Sequence, residues 1–413
     1  MKKVIIVGGG AAGLMAAASV ADHGGKAVIL EKMASVGRKL LITGKGRCNI
    51  TNTADLQTFI KNMPGNGSFL YSAFHAFNNQ DMIDFLARYG LMTKVERGGR
   101  VFPVSDKAQD VVKTFIKALA TLGTEIWTSQ PIREIVINDG KAVGVLTDRN
   151  NKYDADAIIL ATGGSSYPST GSSGDGYIIA QKTGHTIEPL KPSLVPLEVA
   201  ENWIGELQGL SLKNVTAVVI CNGKKIADDF GEMLFTHYGL SGPIILSLSK
   251  KISDLLNGDP NAEIFVEINL KPALSEEKLD KRIQRDFEKF MRKQLKNALG
   301  DLLPAKLINV IIDLAYLDPE KPVHQITKTE RLRLMQTITH LTFTITGVRP
   351  VSEAIVTAGG VHINEINPTT MESKLIKNLF FAGEIIDIDG YTGGFNLQAA
   401  FSTGYVAGKH AAI

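Results

Sequence analysis

The chain has 413 residues, with 45 Lys and Arg against 42 Asp and Glu, and a net charge of +3 is too small to argue for a nucleic-acid or anionic-membrane partner. An apolar fraction of 44% with 21% charged residues belongs to a globular protein of two or three domains, not to a disordered or fibrous chain. The two cysteines, Cys48 and Cys221, make no disulfide framework, which points to the cytoplasm, and beyond the N-terminus no stretch is apolar enough to span a membrane.

The N-terminal run "VIIVGGGAAGLMAAASVA" follows Lys2–Lys3 and has the outline of an export signal. Its centre argues against that reading, because glycine is penalised in the helix a signal needs. Val4–Val7 is an apolar, β-branched run suited to a buried parallel strand. Gly8, Gly10 and Gly13 follow in G-x-G-x-x-G spacing, then helix formers to Asp22, a Gly24–Gly25 stop, and a second strand Ala27–Leu30 ending at Glu31. Strand, glycine turn, helix, strand and acid together make a dinucleotide site. Gly8 gives the tight turn, Gly10 lets backbone approach a pyrophosphate, and Gly13 packs helix on strand. The helix N-terminus, around Ala11 and Ala12, offers free N–H groups and partial positive charge to the phosphates. Glu31 suits an adenosine ribose and repels a 2′-phosphate.

Next comes "GRKLLITGKGRCNITN", Gly37–Asn52, which reads as loop. Helical patterning is expected around Asn79–Tyr89 and Asp106–Leu122, and strands at Glu125–Trp127, Ile132–Ile137, Ala142–Thr147 and Ala157–Leu160. Asn138–Gly140 reads as a hairpin turn. Pro189, Pro192 and Pro196 suggest a domain boundary, with strands beyond it at Val215–Ile220 and Glu263–Leu270. Ser275–Leu299 predicts one amphipathic helix, whose Lys and Arg alternate with Glu and Asp and so read as a solvated face. Two further helices are expected around Pro304–Tyr316 and Thr329–Leu341. From about Pro350 the chain returns to Gly-rich strand and turn chemistry.

Two more blocks select FAD over a nicotinamide. In "AIILATGGSSYP" a buried strand delivers Ala161, Thr162 and Gly163, as in two-dinucleotide flavoproteins, where such a strand returns the chain to FAD. In "NLFFAGEIIDIDGYTGGFNLQAAFSTGYVAG" a strand ends in Gly383–Glu384, Asp387 follows, and Gly394 opens a helix. That helix N-terminus, at Gly394–Leu397, would stabilise the negative charge of reduced flavin. Asn396 can reach the ring edge, and Asp387 the ribityl or phosphate region.

The set "VGGGAAGL", "GRKLLITGKGRCNITN", "ATGGSSYPSTGSSGDGY", "EMLFTHYGLSGP", "TAGGV" and "LFFAGEIIDIDGYTGGFNLQAAFSTGYVAG" resembles the bacterial NAD(P)/FAD-dependent oxidoreductases of the YhiN/BaiN-like type, to which bacterial aminoacetone oxidase is similar. The resemblance covers nearly the whole chain and is strongest at its ends. It implies an α/β fold: a discontinuous glutathione-reductase-like FAD-binding Rossmann domain (1–192 and 350–413), a β-barrel-like insert (193–274 and 342–349) and a three-helix subdomain (275–341). More remotely, the chain resembles flavoproteins of the fumarate reductase and succinate dehydrogenase group. Carried over by motif, Gly10–Ala12 would meet the pyrophosphate and Glu31 the ribose. Lys32, Arg38 and Lys39 would lie near the adenosine or phosphates, and Gly46, Arg47, Cys48 and Asn49 near the ribityl chain and ring. Ile132 would meet the adenine through its backbone, and Asp387, Asn396 and Leu397 would close the flavin end.

Cys48 has no second cysteine nearby, so dithiol chemistry is excluded and a packing role is expected. His237 in "LFTHYGLSGP" is a candidate acid or base, with a structural role as the alternative, and Tyr391 a candidate to face the flavin. Arg97 and Arg100 read as partners of acids. No metal-ligand spacing occurs. The expected activity is hydride transfer at flavin N5 to or from a small or medium organic substrate, with NAD(P)H as a transient donor and no nucleic-acid partner. The alternatives are an amine oxidase of the aminoacetone type, an FAD-dependent RNA-modifying enzyme using Lys278–Lys296, and a flavin-binding protein without turnover. Oligomeric state and substrate are not readable from the residues.

Overall fold

The branched aliphatic run at the N-terminus is a strand because it has two faces to bury. Val4, Ile5, Ile6 and Val7 are all 5% exposed or less, flanked by neighbours on both sides in a parallel sheet. The computed structural model describes every residue from Met1 to Ile413 and forms two units, Met1–Ser193 with Val351–Ile413, and Leu194–Pro350.

In the first unit a five-stranded parallel sheet runs Leu379–Phe381, Ala157–Leu160, Lys3–Val7, Lys26–Leu30, Glu125–Trp127. From Lys3–Val7 the chain moves outward in one direction through the next two strands, then returns to the other side with Ala157–Leu160. The order therefore reverses between Lys3–Val7 and Ala157–Leu160, and the crevice outside their carboxyl ends is where α/β sheets bind ligands. Helices Ala11–Asp22 and Phe395–Ala412 pack on each other through small residues. A Cβ on Gly404 would lie 2.3 Å from the Ala12 carbonyl oxygen, and one on Gly408 2.3 Å from that of Ala16. Ile132–Asn138 and Lys141–Thr147 form the expected hairpin, with Asp139 and Gly140 both at positive φ. Gly37–Asn52, expected as loop, contains a short helix, Arg38–Ile42, and a strand, Thr51–Asn52, paired to Arg100–Pro103. Periodicity could not show a five-residue helix.

The second unit is a closed six-stranded barrel, in the order Leu197–Val199, Gly239–Ser241, Lys224–Phe235, Ser211–Cys221, Ile264–Asn269, Leu341–Val348. Alternate residues point inward: Val215, Ala217 and Val219 on one strand, Ile264, Val266 and Ile268 on the next, Leu341, Phe343 and Ile345 on the last. Helix Pro243–Gly258 packs on the barrel and was not expected from the sequence. Its signal lies in Pro243 at the first turn and in buried Ile244, Ile245, Leu248 and Ile252. Glu276–Lys289, Ala305–Leu314 and Lys328–Thr339 form the helical part, their buried Leu279, Ile283, Leu307, Ile311, Leu334 and Ile338 sharing one core with the barrel.

The single helix expected over Ser275–Leu299 breaks at Phe290 and resumes only as Leu295–Ala298. No glycine or proline causes the break. The backbone N–H groups of Leu295 and Lys296 donate instead to the carbonyls of Lys321 and Pro319, and Val323 N–H to that of Lys293. Tertiary pairing has replaced helical bonds the pattern allowed. No helix in either unit is long and apolar enough to cross a membrane.

Candidate functional site

At the sheet's switch point the backbone itself is the scaffold. Gly8 N–H donates to the Leu30 carbonyl and Ala161 N–H to that of Val7, so both strand ends turn outward at one level. Gly8 has φ +106, and a Cβ there would sit 2.5 Å from the Ala161 carbonyl oxygen. A Cβ on Gly13 would sit 1.9 Å from the Gly8 carbonyl oxygen. Gly10 differs: a Cβ there meets nothing within 4 Å. The loop is thus closed toward the protein and open along Gly10. Helix Ala11–Asp22 starts beside it with no side-chain cap and no acid in its first turn, leaving its first N–H groups available to an anion.

Glu31, expected at the adenosine ribose, is 9% exposed. Its two oxygens accept from Gly9 N–H at 2.8 Å and Met33 N–H at 2.7 Å, which fixes the carboxylate while leaving lone pairs for hydroxyls. Ile132 begins the hairpin two residues after Gln130, whose N–H donates to the Glu31 carbonyl. Lys32 reaches Ser173 and Asp175. Lys39 Nζ donates to Glu384 at 2.6 Å and to Ser166 Oγ at 2.7 Å, and Glu384 also accepts from Thr357 N–H at 2.8 Å. This network ties the second block to the last one. Gly383 stands against Ala12, where a Cβ would lie 2.7 Å from the Ala12 methyl.

The segments expected to close the flavin end are joined by a second set of contacts. A Cβ on Gly394, at φ +99, would lie 2.3 Å from the Thr51 carbonyl oxygen. Thr51 Oγ1 donates to Gln398 at 2.7 Å, and Asn52 Nδ2 bonds the carbonyls of Gly98 and Gly393 at 2.9 Å each. Thr51 and Asn52 are thereby held at the N-terminus of the last helix. Asn396 pins the preceding turn, accepting from Gly390 N–H at 2.7 Å and donating to the carbonyls of Gly390 and Tyr391. Asp387 accepts from Asn66 Nδ2 at 2.9 Å and Gly359 N–H at 3.1 Å. Burial raises its carboxyl above the usual value, opposed by the Asn66 bond and helped by the negative charges of Glu188 and Asp389.

Two residues have other partners than the cofactor role expects. Arg47 is bonded to Glu96 and Asp106 and lies over the Phe102 ring at 4.2 Å, and those bonds hold its charge firmly while depressing both acids. Cys48 is fully buried, and burial pushes its thiol up to about 11, so it is a packed, neutral group. His237 is exposed on the Thr236–Gly239 turn of the barrel unit, its ring edge-on to Tyr238 at 4.7 Å. Tyr391 is partly exposed, its N–H bonded to the Asn62 carbonyl. Thr51, Asn52, Asn66, Ser166 and Thr357 were not singled out from sequence. Thr51 and Asn52 end the "CNITN" block and Ser166 lies in "GGSSYP", but nothing local shows their reach.

The residues present fit FAD. Of the five buried side-chain polar atoms without a partner, three fall in blocks expected around the dinucleotide: Arg38 Nε and Asn49 Oδ1 in "GRKLLITGKGRCNITN" and Thr162 Oγ1 in "ATGGSSYP". Buried polar atoms are ordinarily paired, and a nucleotide with phosphate and ribityl oxygens supplies partners of both signs. The open space at Gly10 leaves room for a pyrophosphate.

The description "HI0933-like protein Rossmann domain" matches residues 2–410. A "3-dehydro-bile acid delta(4,6)-reductase" of Clostridium scindens is 32% identical over 416 residues, covering 100% of this chain and 99% of its own. A "Ribosomal RNA dihydrouridine synthase" of Haemophilus influenzae is 32% identical, covering 97% of this chain and 96% of its own, and that of Escherichia coli is 29% identical. Among solved structures, a 3-ketosteroid Δ1-dehydrogenase of Sterolibacterium denitrificans superposes with a TM-score of 0.57 at 13% identity, covering 100% of both chains, a likeness of fold. Two relatives carry ribosomal RNA in their names, so the expectation of no nucleic-acid partner gains no support. The chain belongs to the HI0933-like family of bacterial FAD-dependent oxidoreductases that its motifs resemble.

Proposed function

We propose that this flavoenzyme takes hydride from NAD(P)H and adds it to a carbon–carbon double bond conjugated to a carbonyl. Two relatives matching the chain end to end support this reading, because a delta(4,6)-reductase and a dihydrouridine synthase are both named for saturating such bonds on unlike molecules. The structural observation that carries it is the cradle at the switch point, open along Gly10 alone, with unpaired Arg38 Nε, Asn49 Oδ1 and Thr162 Oγ1. Bound FAD supplies two-electron hydride chemistry at N5.

The chain's own residues bind and orient. Gly10, Ala11 and Ala12 hold the pyrophosphate by backbone N–H groups, and Glu31 accepts from the ribose. The N-terminus of Phe395–Ala412, with Asn396 fixing the turn before it, faces the charge that develops on the reduced ring. Adding hydride to a conjugated bond leaves an enolate that needs a proton. Tyr391 is the proposed group beside the ring, where its phenol would give that proton. The unit of residues 1–193 and 351–413 serves the cofactor.

Anaerobic stopped-flow absorbance at the flavin band tests this. Rapid bleaching by NADH or NADPH, then recovery on adding an α,β-unsaturated ketone without oxygen, is the expected result. Bleaching only by amines, with peroxide on admitting air, would overturn it in favour of an oxidase. Tyr391→Phe is expected to slow reoxidation by the ketone while leaving bleaching by the nicotinamide unchanged.

A further inference from the structure

The helical part of the barrel unit carries a charge pattern that its packing does not use. On Glu276–Lys289 the positions 278, 281, 285 and 289 fall at i, i+3, i+7 and i+11, which at about 100° per residue puts them within one narrow outer sector. They are Lys278, Lys281, Arg285 and Lys289, all exposed. Beyond the break at Phe290, Arg292 and Lys293 are exposed as well. Lys278, Lys281, Arg285, Arg292 and Lys293 make no ion pair, whereas Arg282, Lys289, Lys296 and Arg331 are matched to Asp286, Asp301, Glu320 and Asp280. The unit thus neutralises the cations facing its own acids and leaves five without an ion pair, three on one sector of the helix and two just past its end.

The acids nearest the stripe are Glu277 and Glu288 on the same helix and Asp301, which feels Lys293 as well as Lys289. Phe290 sits among the cations, with Lys289 Nζ at 4.7 Å and Lys293 Nζ at 4.4 Å from its ring centre. A stripe of cations around an aromatic ring suits the phosphates and stacked bases of a single nucleic-acid strand. A membrane surface fits less well, because the helix has already spent its apolar face: Leu279 and Ile283 are fully buried in the unit's own core.

We propose that Lys281, Arg285, Arg292 and Lys293, with Phe290, form a docking surface for single-stranded RNA. The choice of RNA rests on the reading above, since the carbonyl-conjugated double bond of uracil is a bond of the class proposed and uracil is the base of RNA. The surface holds phosphates and takes no part in hydride transfer.

The test is fluorescence anisotropy of the full-length, flavin-loaded protein with a labelled uracil-containing single-stranded RNA, over a salt series. The K281Q/R285Q/R292Q/K293Q variant is measured beside it, and flavin absorbance and melting temperature verify that it is folded. The native protein is expected to bind, with affinity falling steeply as salt rises. The variant's slope of log affinity against log salt should be smaller by about 3, roughly 0.7 for each cation removed, and its low-salt affinity at least tenfold weaker. Should the fourfold variant not fold, R285Q and R292Q alone should each lower the slope by about 0.7. No binding by the native protein, an unchanged slope in the variants, or tighter binding to phosphatidylserine vesicles lost on the same substitutions would overturn the proposal. Bleaching of the flavin by NAD(P)H in the same preparation separates the two readings. Intact bleaching without RNA binding defeats only the docking surface, and RNA binding without bleaching defeats only the reductase.

Discussion

In the dinucleotide unit, distant segments of chain touch backbone to backbone; in the barrel unit they touch side chain to side chain. Gly8 meets Ala161, Gly394 meets Thr51, Gly404 meets Ala12 and Gly408 meets Ala16, each so closely that a methyl group would collide with backbone. In the barrel the contacts are Phe343 against Trp203 and Phe235, with branched aliphatics filling the layers between. One unit positions a ligand with main-chain groups and tolerates one residue type at each crossing. The other fills a volume, and many residues of the right size would fill it. That difference determines where substitutions hurt, and each unit holds one tryptophan, Trp127 and Trp203, to report it.

The largest effect is expected in the barrel. Phe343 is fully buried, and Phe343→Ala should cost about 3–5 kcal/mol by lost transfer energy and an unfilled cavity. In a Trp127→Phe background, Trp203 fluorescence should show the denaturation midpoint fall while bound flavin is retained. Flavin lost in native buffer along with the barrel transition would erase the contrast between the units.

Next come two alanines in one loop. Gly13→Ala forces a Cβ against the Gly8 carbonyl and should destabilise the dinucleotide unit by about 1–3 kcal/mol, with loss of flavin. Gly10→Ala meets nothing in the protein, so apoprotein stability should hold within about 0.5 kcal/mol while FAD affinity drops. Apoprotein melting and FAD titration read the two effects separately. Equal melting losses for both variants would mean that the loop is not open along Gly10.

The same contrast explains what was legible in the sequence. The switch-point crevice could be read from Gly8, Gly10, Gly13 and Glu31, because close backbone approach leaves glycine as the residue that fits. The hairpin after Ile132 was legible for a different reason, the positive φ of Asp139 and Gly140 in its turn. The barrel's alternation shows strands but not their partners, so the order of its six strands was not readable. Helix Pro243–Gly258 went unseen though its pattern is present, and the break at Phe290 could not be seen at all, because carbonyls of Lys321 and Pro319 impose it. At the site, Asn52 and Asn66 were missed because each acts on backbone or carboxylate far along the chain.

Acid should separate the units with a smaller effect. His185, 2% exposed, is held between Thr183 Oγ1 and Ser373 Oγ at 2.8 and 2.7 Å, and burial lowers its pKa from 6.5. The unfolded chain then binds the proton more readily, so the dinucleotide unit should lose stability as pH falls below about 6.5. Glu330 in the barrel unit is held down to about 2 by Lys321 and the Thr327 cap, from an ordinary 4.5. Its contribution is present above about 4.5 and fades only as pH falls toward 2. Melting against pH in the two single-tryptophan proteins should therefore show Trp127 responding first, and His185→Gln should flatten that response. Simultaneous loss at both reporters near pH 6 would break the assignment.

The smallest effect concerns Cys48, which separates packing from chemistry at the flavin end. A thiol at about 11 is ionised at pH 8 in roughly one molecule in a thousand, and the thiolate is the reactive form. With the side chain fully buried, an aromatic disulfide reagent should label Cys48 only as fast as the unit opens. Labelling should speed up in denaturant in step with the Trp127 signal, and Cys48→Ala should cost about 1 kcal/mol, as a small lost core group does. Fast labelling in native buffer would require a stabilised thiolate. Arg47, the nearest cation in sequence, cannot provide it, since its guanidinium is committed to Glu96 and Asp106. Slow labelling would leave Cys48 where its burial puts it, as a small apolar residue in the core of the dinucleotide unit.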